Sequence, residues 1–159
     1  MRVVGQLKTL KRTGWVNHGV HLPESVADHM YRMSMIAMLL TDPRLDKDRL
    51  IKICLMHDVA EAVVGDITPY QGVSKEEKRR LEETAFRDIT SALGNKAMQD
   101  EMFSLWIEYE DGSSPESEAA RQLDKYEMVV QADDYERAQG KLLEDFFRST
   151  ENFFTHPEV

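Results

Sequence analysis

Apolar side chains recur along almost the whole chain at three- and four-residue intervals, and alternating runs of β-branched residues are missing. That period belongs to helices, so the pattern predicts an all-α fold. Val3, Val4, Leu7 and Leu10 predict a short first helix stopped by Gly14, with a loop from Trp15 to Pro23 behind it. Ser25, with Asp28 three residues on, reads as the capping start of a helix through about Thr41, whose Met33, Ile36, Ala37 and Leu40 face inward. A third helix is expected from about Lys47 to Val63, ended by Gly65, with Leu50, Ile53, Cys54, His57 and Glu61 on one stripe and Asp58 at its border. Ser74 and Glu77 start a charged helix that ends near Leu93 and Gly94, and another covers roughly Lys96 to Tyr109. After the linker 111–114, Ser114 as N-cap and Pro115 in the first turn open a long helix to about Gln139, closed by Gly140. Ala120, Asp124, Met128, Gln131 and Tyr135 share one face of it.

The informative residues are polar ones on those apolar faces. A single histidine there is usually a hydrogen-bonded core residue. His29, the pair His57-Asp58 and Asp124 together offer two imidazoles and two carboxylates, the ligand set of a hard or borderline divalent cation. Burying such a set is costly unless something offsets its charge, and a divalent cation does so. Four protein ligands leave two positions of an octahedral ion open, as a catalytic site requires. Glu61, one turn after His57, is placed to act without being a ligand.

At 159 residues the chain fits one domain, 1–159. Its 20 Lys plus Arg against 29 Asp plus Glu leave a net charge of -9, which argues against a nucleic-acid polymer as partner. An anionic small molecule would have to be drawn in by a metal and a few placed cations. The lone Cys54 rules out an intramolecular disulfide and fits a reducing compartment, with the cytoplasm as the expectation. No apolar run has the length of a membrane span, and the first 14 residues lack a signal-peptide core.

Four strings carry a family resemblance: Leu10-Lys-Arg-Thr-Gly-Trp-Val16, Pro23-Glu-Ser-Val-Ala-Asp-His-Met-Tyr-Arg-Met33, the block from His57 to Asp66, and Gln122-Leu-Asp-Lys-Tyr-Glu-Met128. On these the chain resembles the HD-domain phosphohydrolase superfamily, and within it the 5'-deoxynucleotidase family. The resemblance implies a compact HD-domain helical bundle, a homodimer, and hydrolysis of deoxynucleoside monophosphates with Co²⁺, Mn²⁺ or Mg²⁺. It implies His29, His57, Asp58 and Asp124 as metal ligands and Glu61 as the catalytic glutamate. Asp66 then contacts the sugar hydroxyl, and Trp15 packs near the deoxyribose. One departure stands out: bacterial members carry a phosphate-binding arginine directly before this tryptophan, whereas here Gly14 precedes it and Arg12 is the nearest candidate.

Two alternatives remain at the level of sequence. One is another HD-type phosphohydrolase, acting on a cyclic nucleotide, a triphosphate or an alarmone, although little chain is left to clamp three phosphates. The other is a metal- or nucleotide-binding protein without turnover, against which Glu61 speaks. Arg32 reads as a salt-bridge partner, Lys125 as a phosphate contact or a solvated lysine, and the run Lys75 to Glu83 as a solvated helix face. His18, His21 and His156 read as non-ligands.

Overall fold

The computed structural model describes residues 2–159 and is all-helical, with a single isolated β-bridge, Lys11 to Ser25, among the described residues. The helices are α1 (Thr13–Asn17), α2 (Val26–Leu39), α3 (Lys47–Met56), α4 (Glu61–Val64), α5 (Lys75–Ser91), α6 (Lys96–Asp111), α7 (Pro115–Gln139) and α8 (Glu144–Arg148). Two 3₁₀ turns, Val3–Lys8 and Pro69–Gln71, complete the set.

Capping decides where the main helices begin. The Ser25 hydroxyl accepts the N–H of Asp28 while Asp28 returns to the Ser25 N–H, so both halves of the expected box are formed. Ser114 opens α7 in the same way, with Pro115 behind it and Gly140 closing the helix in the left-handed region. Ser74 caps α5, but only half of that box is made, because Glu77 turns to Arg80 instead.

Helices α2, α3, α6 and α7 enclose the first core cluster, where Met33, Leu50, Ile53, Cys54 and Leu123 are completely buried. A second cluster joins Leu7, Val26, Val59, Phe86 and Trp106. A third gathers Trp15, Val20, Ala132, Tyr135 and Leu143 where α1 and α8 lie on α7. The chain end is tied back: Gln122 bonds to Thr155 and His156, and the Glu158 carboxylate accepts from Thr41.

Two expectations need correction. The first helix is a 3₁₀ turn ending at Lys8, and Gly14 lies inside α1 instead of stopping a helix; the segment from Trp15 to Asn17 is helical, not loop. The bridge between Lys11 and Ser25, together with Asp66 capping Thr13, fixes this second start. The single helix expected from Lys47 to Val63 is two helices, α3 and α4, broken at 57–60. Here the backbone tightens to three-residue bonds: Val59 N–H to Met56, Glu61 N–H to Asp58, Ala62 N–H to Val59. The His57 ring donates to the Cys54 carbonyl at 2.9 Å, while Val59 and Ala60 sink into the second core. In such a turn residues three apart eclipse, which brings Asp58 and Glu61 to the same side.

Candidate metal centre

The break between α3 and α4 forms the floor of a cavity of about 750 Å³, walled also by α1, α5, α7 and α8. His57 and Asp58 reach the floor from the break and Asp124 from the middle of α7, while His29, fully buried in the first turn of α2, lies behind them. Nε2 of His29, Nε2 of His57 and a carboxylate oxygen of Asp124 lie within 4.8 Å of one another. His29 Nε2 is 3.3 Å from Asp124 Oδ1 and 3.9 Å from Asp58 Oδ2, and His57 Nε2 is 3.0 Å from the same Asp58 oxygen.

Both imidazoles are fixed from behind. His29 Nδ1 donates to Glu127 Oε2 at 2.5 Å, and His57 Nδ1 donates to the Cys54 carbonyl. These bonds hold each ring by its Nδ1 and turn Nε2 toward the carboxylates. Yet Nε2 of each histidine is buried without a hydrogen-bond partner, and such orphans are rare in folded proteins. Two aimed nitrogens beside two carboxylates fit a divalent cation, so the residues present suit the metal that the ligand set implies. The other carboxylate-rich set around His29, Glu24 with Glu127, is already occupied: Glu24 accepts from Trp15, and Glu127 from Arg32 and His29.

Electrostatics separate the carboxyl groups. Burial works against the charge of Asp58 and Asp124, but His57, His29 and Arg12 hold Asp58 well below the usual range. Lys125, His29 and Arg12 do the same for Asp124. Glu61 is pushed well above it, first by burial and then by the charges of Asp58 and Asp66. Only 4% exposed, it leaves Oε2 without a partner, so its surroundings oppose ionisation where those of its two neighbours favour it.

Comparison with known proteins gives the same answer from outside the site. The HD domain family model matches residues 4–158. The 5'-deoxynucleotidase HDDC2 of Mus musculus is 50% identical over 161 residues, covering 100% of this chain and 80% of the mouse protein. The Schizosaccharomyces pombe 5'-deoxynucleotidase hdd1 is 49% identical over 137 residues, 84% of this chain and 69% of that protein. The chain belongs to the HD-domain 5'-deoxynucleotidase family. Among solved structures, protein PH0347 of Pyrococcus horikoshii OT3 is similar with a TM-score of 0.80 at 33% identity, covering 94% of this chain and 84% of that one.

Arg12, Gly14, Trp15 and Asp66 also border this HD-domain cavity. Arg12, the N-cap of α1, brings Nη1 to 3.6 Å from Asp58 and Nη2 to 3.8 Å from Asp124. At Gly14, one place before the tryptophan, a Cβ would meet Phe146 Cε1 at 3.3 Å, a contact that a shift of the ring by a few tenths of an ångström relieves. Asp66 lies in the wall, but its Oδ2 is used to accept the Thr13 N–H at 2.6 Å. Trp15 borders the cavity with 1% of its surface exposed; its ring packs on Phe146 and Tyr135, and its Nε1–H donates to Glu24. Arg32 is the salt-bridge residue expected, bonded to Glu127, Gln131 and Asp134. His21 and His156 bond elsewhere, and His18, though in the cavity wall, turns its Nδ1 to the Gly14 carbonyl.

Three residues of the site escaped the sequence reading. Glu127 is completely buried behind His29; its signal was a charge one turn after Asp124 on a core-facing stripe. Tyr109 stacks 4.9 Å from His57 and donates to Asp124 at 3.4 Å, and Phe146 closes over Trp15 from α8. Nothing in their local sequence marks the last two.

Proposed function

We propose that this chain hydrolyses the phosphomonoester of 5'-deoxynucleoside monophosphates, giving the deoxynucleoside and phosphate. The observation that carries the reading is the pair of buried, unpartnered Nε2 atoms converging on Asp58 and Asp124 at the floor of a nucleotide-sized cavity. Half-identity to proteins named 5'-deoxynucleotidase supplies the substrate class.

In this reading His29, His57, Asp58 and Asp124 hold a divalent cation, Co²⁺, Mn²⁺ or Mg²⁺. Bound there, such a cation offers Lewis-acid stabilisation of phosphoryl charge and a water of lowered pKa. Arg12 donates to the phosphate oxygens, as its approach to Asp58 and Asp124 suits. Glu61 orients the attacking water and hands a proton to the leaving 5'-oxygen, a role for which its raised pKa fits. Asp66 accepts from the sugar 3'-hydroxyl, and Trp15 limits the space beside the 2' carbon. No described helix is long and apolar enough to cross a membrane. In this reading the protein acts as a homodimer in the cytoplasm, a compartment that suits the free thiol of Cys54.

The deciding experiment measures phosphate release by the purified protein, loaded in turn with each of the three metals, from dAMP, AMP, a cyclic nucleotide and dATP. Preference for dAMP is expected. Equal use of dAMP and AMP would overturn the deoxy specificity, and turnover confined to the cyclic or triphosphate substrate would select the other HD-type activity.

A further inference from the structure

Helix α5 carries three ion pairs between side chains three or four residues apart, and one is unlike the rest. Arg80–Glu77 and Arg87–Glu83 are exposed, with glutamate side chains 46% and 36% accessible. In the third, Lys78 Nζ is 2.9 Å from Glu82 Oε1, and the Glu82 side chain is only 6% accessible. Solvated pairs contribute little, and taking a carboxylate out of water costs free energy that one ion pair seldom returns. The expected solvated face of 75–83 is therefore interrupted by a pair whose carboxylate is desolvated while the Lys78 side chain stays 36% accessible, and both residues lie in the wall of the cavity.

Charge bookkeeping gives it a use. A divalent cation offsets Asp58 and Asp124 and leaves no surplus. A phosphomonoester brings about 1.5 to 2 negative charges, of which Arg12 meets one. Of the other wall lysines, Lys125 sits on Asp124 Oδ2 at 3.0 Å, an oxygen of the candidate ligand set itself, and Lys75 is exposed. Lys78 remains, anchored on a buried carboxylate. Burial presses its pKa down, but Glu82, Asp58 and Glu61 outweigh that and hold it above the usual lysine range, so it is a permanent cation close to the catalytic end of the cavity.

We propose that Lys78, held in place by Glu82, is a second cationic contact for the substrate phosphate, entering from α5 where Arg12 enters from α1. The proposal rests on the phosphomonoesterase reading of the site. Lys78 donates to a phosphoryl oxygen without giving up its proton, and Glu82 keeps the ammonium in the wall when no substrate is bound.

The test uses the metal-loaded full chain, with inorganic phosphate and deoxyadenosine as separate product inhibitors of dAMP hydrolysis. Loss of one charge-assisted hydrogen bond weakens binding about tenfold or more. Lys78→Gln is expected to raise the phosphate Ki and the dAMP KM by that factor, with metal content and the deoxyadenosine Ki unchanged. Lys78→Arg should recover most of the loss, and Glu82→Gln should fall between. Lys78→Met, which keeps the stem packed, replaces Lys78→Gln if the latter melts early. An unchanged phosphate Ki in a folded variant overturns the proposal, as does a shift confined to deoxyadenosine. If the parent protein fails to hydrolyse dAMP, the functional reading fails, while calorimetric binding of phosphate to parent and variant still decides the role of Lys78.

Discussion

Glu127 Oε2 accepts the Nδ1–H of His29 at 2.5 Å, and neither residue is exposed at all. Its other oxygen holds the Nε of Arg32 at 2.7 Å, so the carboxylate is ionised and fixed on both sides. A carboxylate behind a metal-binding histidine sets its tautomer and makes it a stronger ligand. Glu127→Ala is accordingly expected to weaken metal affinity about 10- to 100-fold, with Glu127→Gln recovering part because an acceptor remains. Competition against a chelator reads this directly. Parent-like affinity in a folded alanine variant would make Glu127 a packing residue and nothing more.

Glu61 stands next to the candidate ligands, and its expected variant behaves differently from theirs. Glu61→Gln should keep its metal and lose about 10² to 10⁴ in turnover, the usual scale of a general acid or base. His57→Ala or Asp58→Ala should lose metal and turnover together. Elemental analysis beside single-substrate kinetics separates the two patterns. Wild-type turnover in Glu61→Gln would leave the glutamate a structural role.

The contrast between these residues shows what was legible in the sequence. Helices α2 and α7 announce themselves by their caps, Ser25 with Asp28 and Ser114 with Pro115, since these side chains satisfy backbone groups locally. The four candidate ligands stand out because charge on an apolar stripe demands an explanation. The break at 57–60 does not, because Val59, Ala60, Ala62 and Val63 all tolerate a continuing helix; the tightening comes with the Cys54 carbonyl bond and the burial of Val59 and Ala60. Nor is the desolvation of Glu82 or Glu127 visible, since glutamate on a helix is solvated by default and only tertiary packing says otherwise.

One acid-sensitive junction lies away from the candidate metal site. Glu108 on α6 accepts from Arg49 of α3 at 2.9 Å and from Ser114, the N-cap of α7, at 2.5 Å, tying three helices together. Burial alone would raise its pKa, but these hydrogen bonds hold it below the ordinary 4.5. A carboxylate depressed on folding stabilises the fold above its unfolded pKa, and that stability is lost as pH falls through the lower folded value. Glu108→Gln should therefore lower the melting temperature at pH 7, and the gap to the parent should close as the pH falls from the ordinary 4.5 through the lower folded value. A gap that persists unchanged at pH 3 would mean that packing, not charge, holds this junction.

Substrate choice turns on Trp15 and Asp66, and the structure dictates which variants can test it. Trp15 is 1% exposed in the third core cluster, so Trp15→Ala would also open a cavity costing about 3 to 5 kcal/mol. Trp15→Phe keeps most of the packing while removing part of the wall and the bond to Glu24. If the indole crowds the 2' position, the preference for dAMP over AMP should shrink before overall activity does. Asp66 presents the opposite case. Its Oδ2 caps Thr13 while Oδ1 has no hydrogen-bond partner among the described residues, leaving one oxygen for a sugar hydroxyl. Asp66→Ala would lose the cap as well, about 1 kcal/mol, so Asp66→Asn, which keeps a carbonyl acceptor, is the companion variant. A site built around a hydroxyl rejects the analogue that lacks it, because its own polar group is left unpaired. The parent should use 2',3'-dideoxy-AMP poorly, and Asp66→Ala should penalise dAMP far more than the dideoxy compound. The kcat/KM values for dAMP, AMP and dideoxy-AMP on the parent and these variants decide it: equal losses for dAMP and dideoxy-AMP would leave Asp66 as the cap of α1 alone.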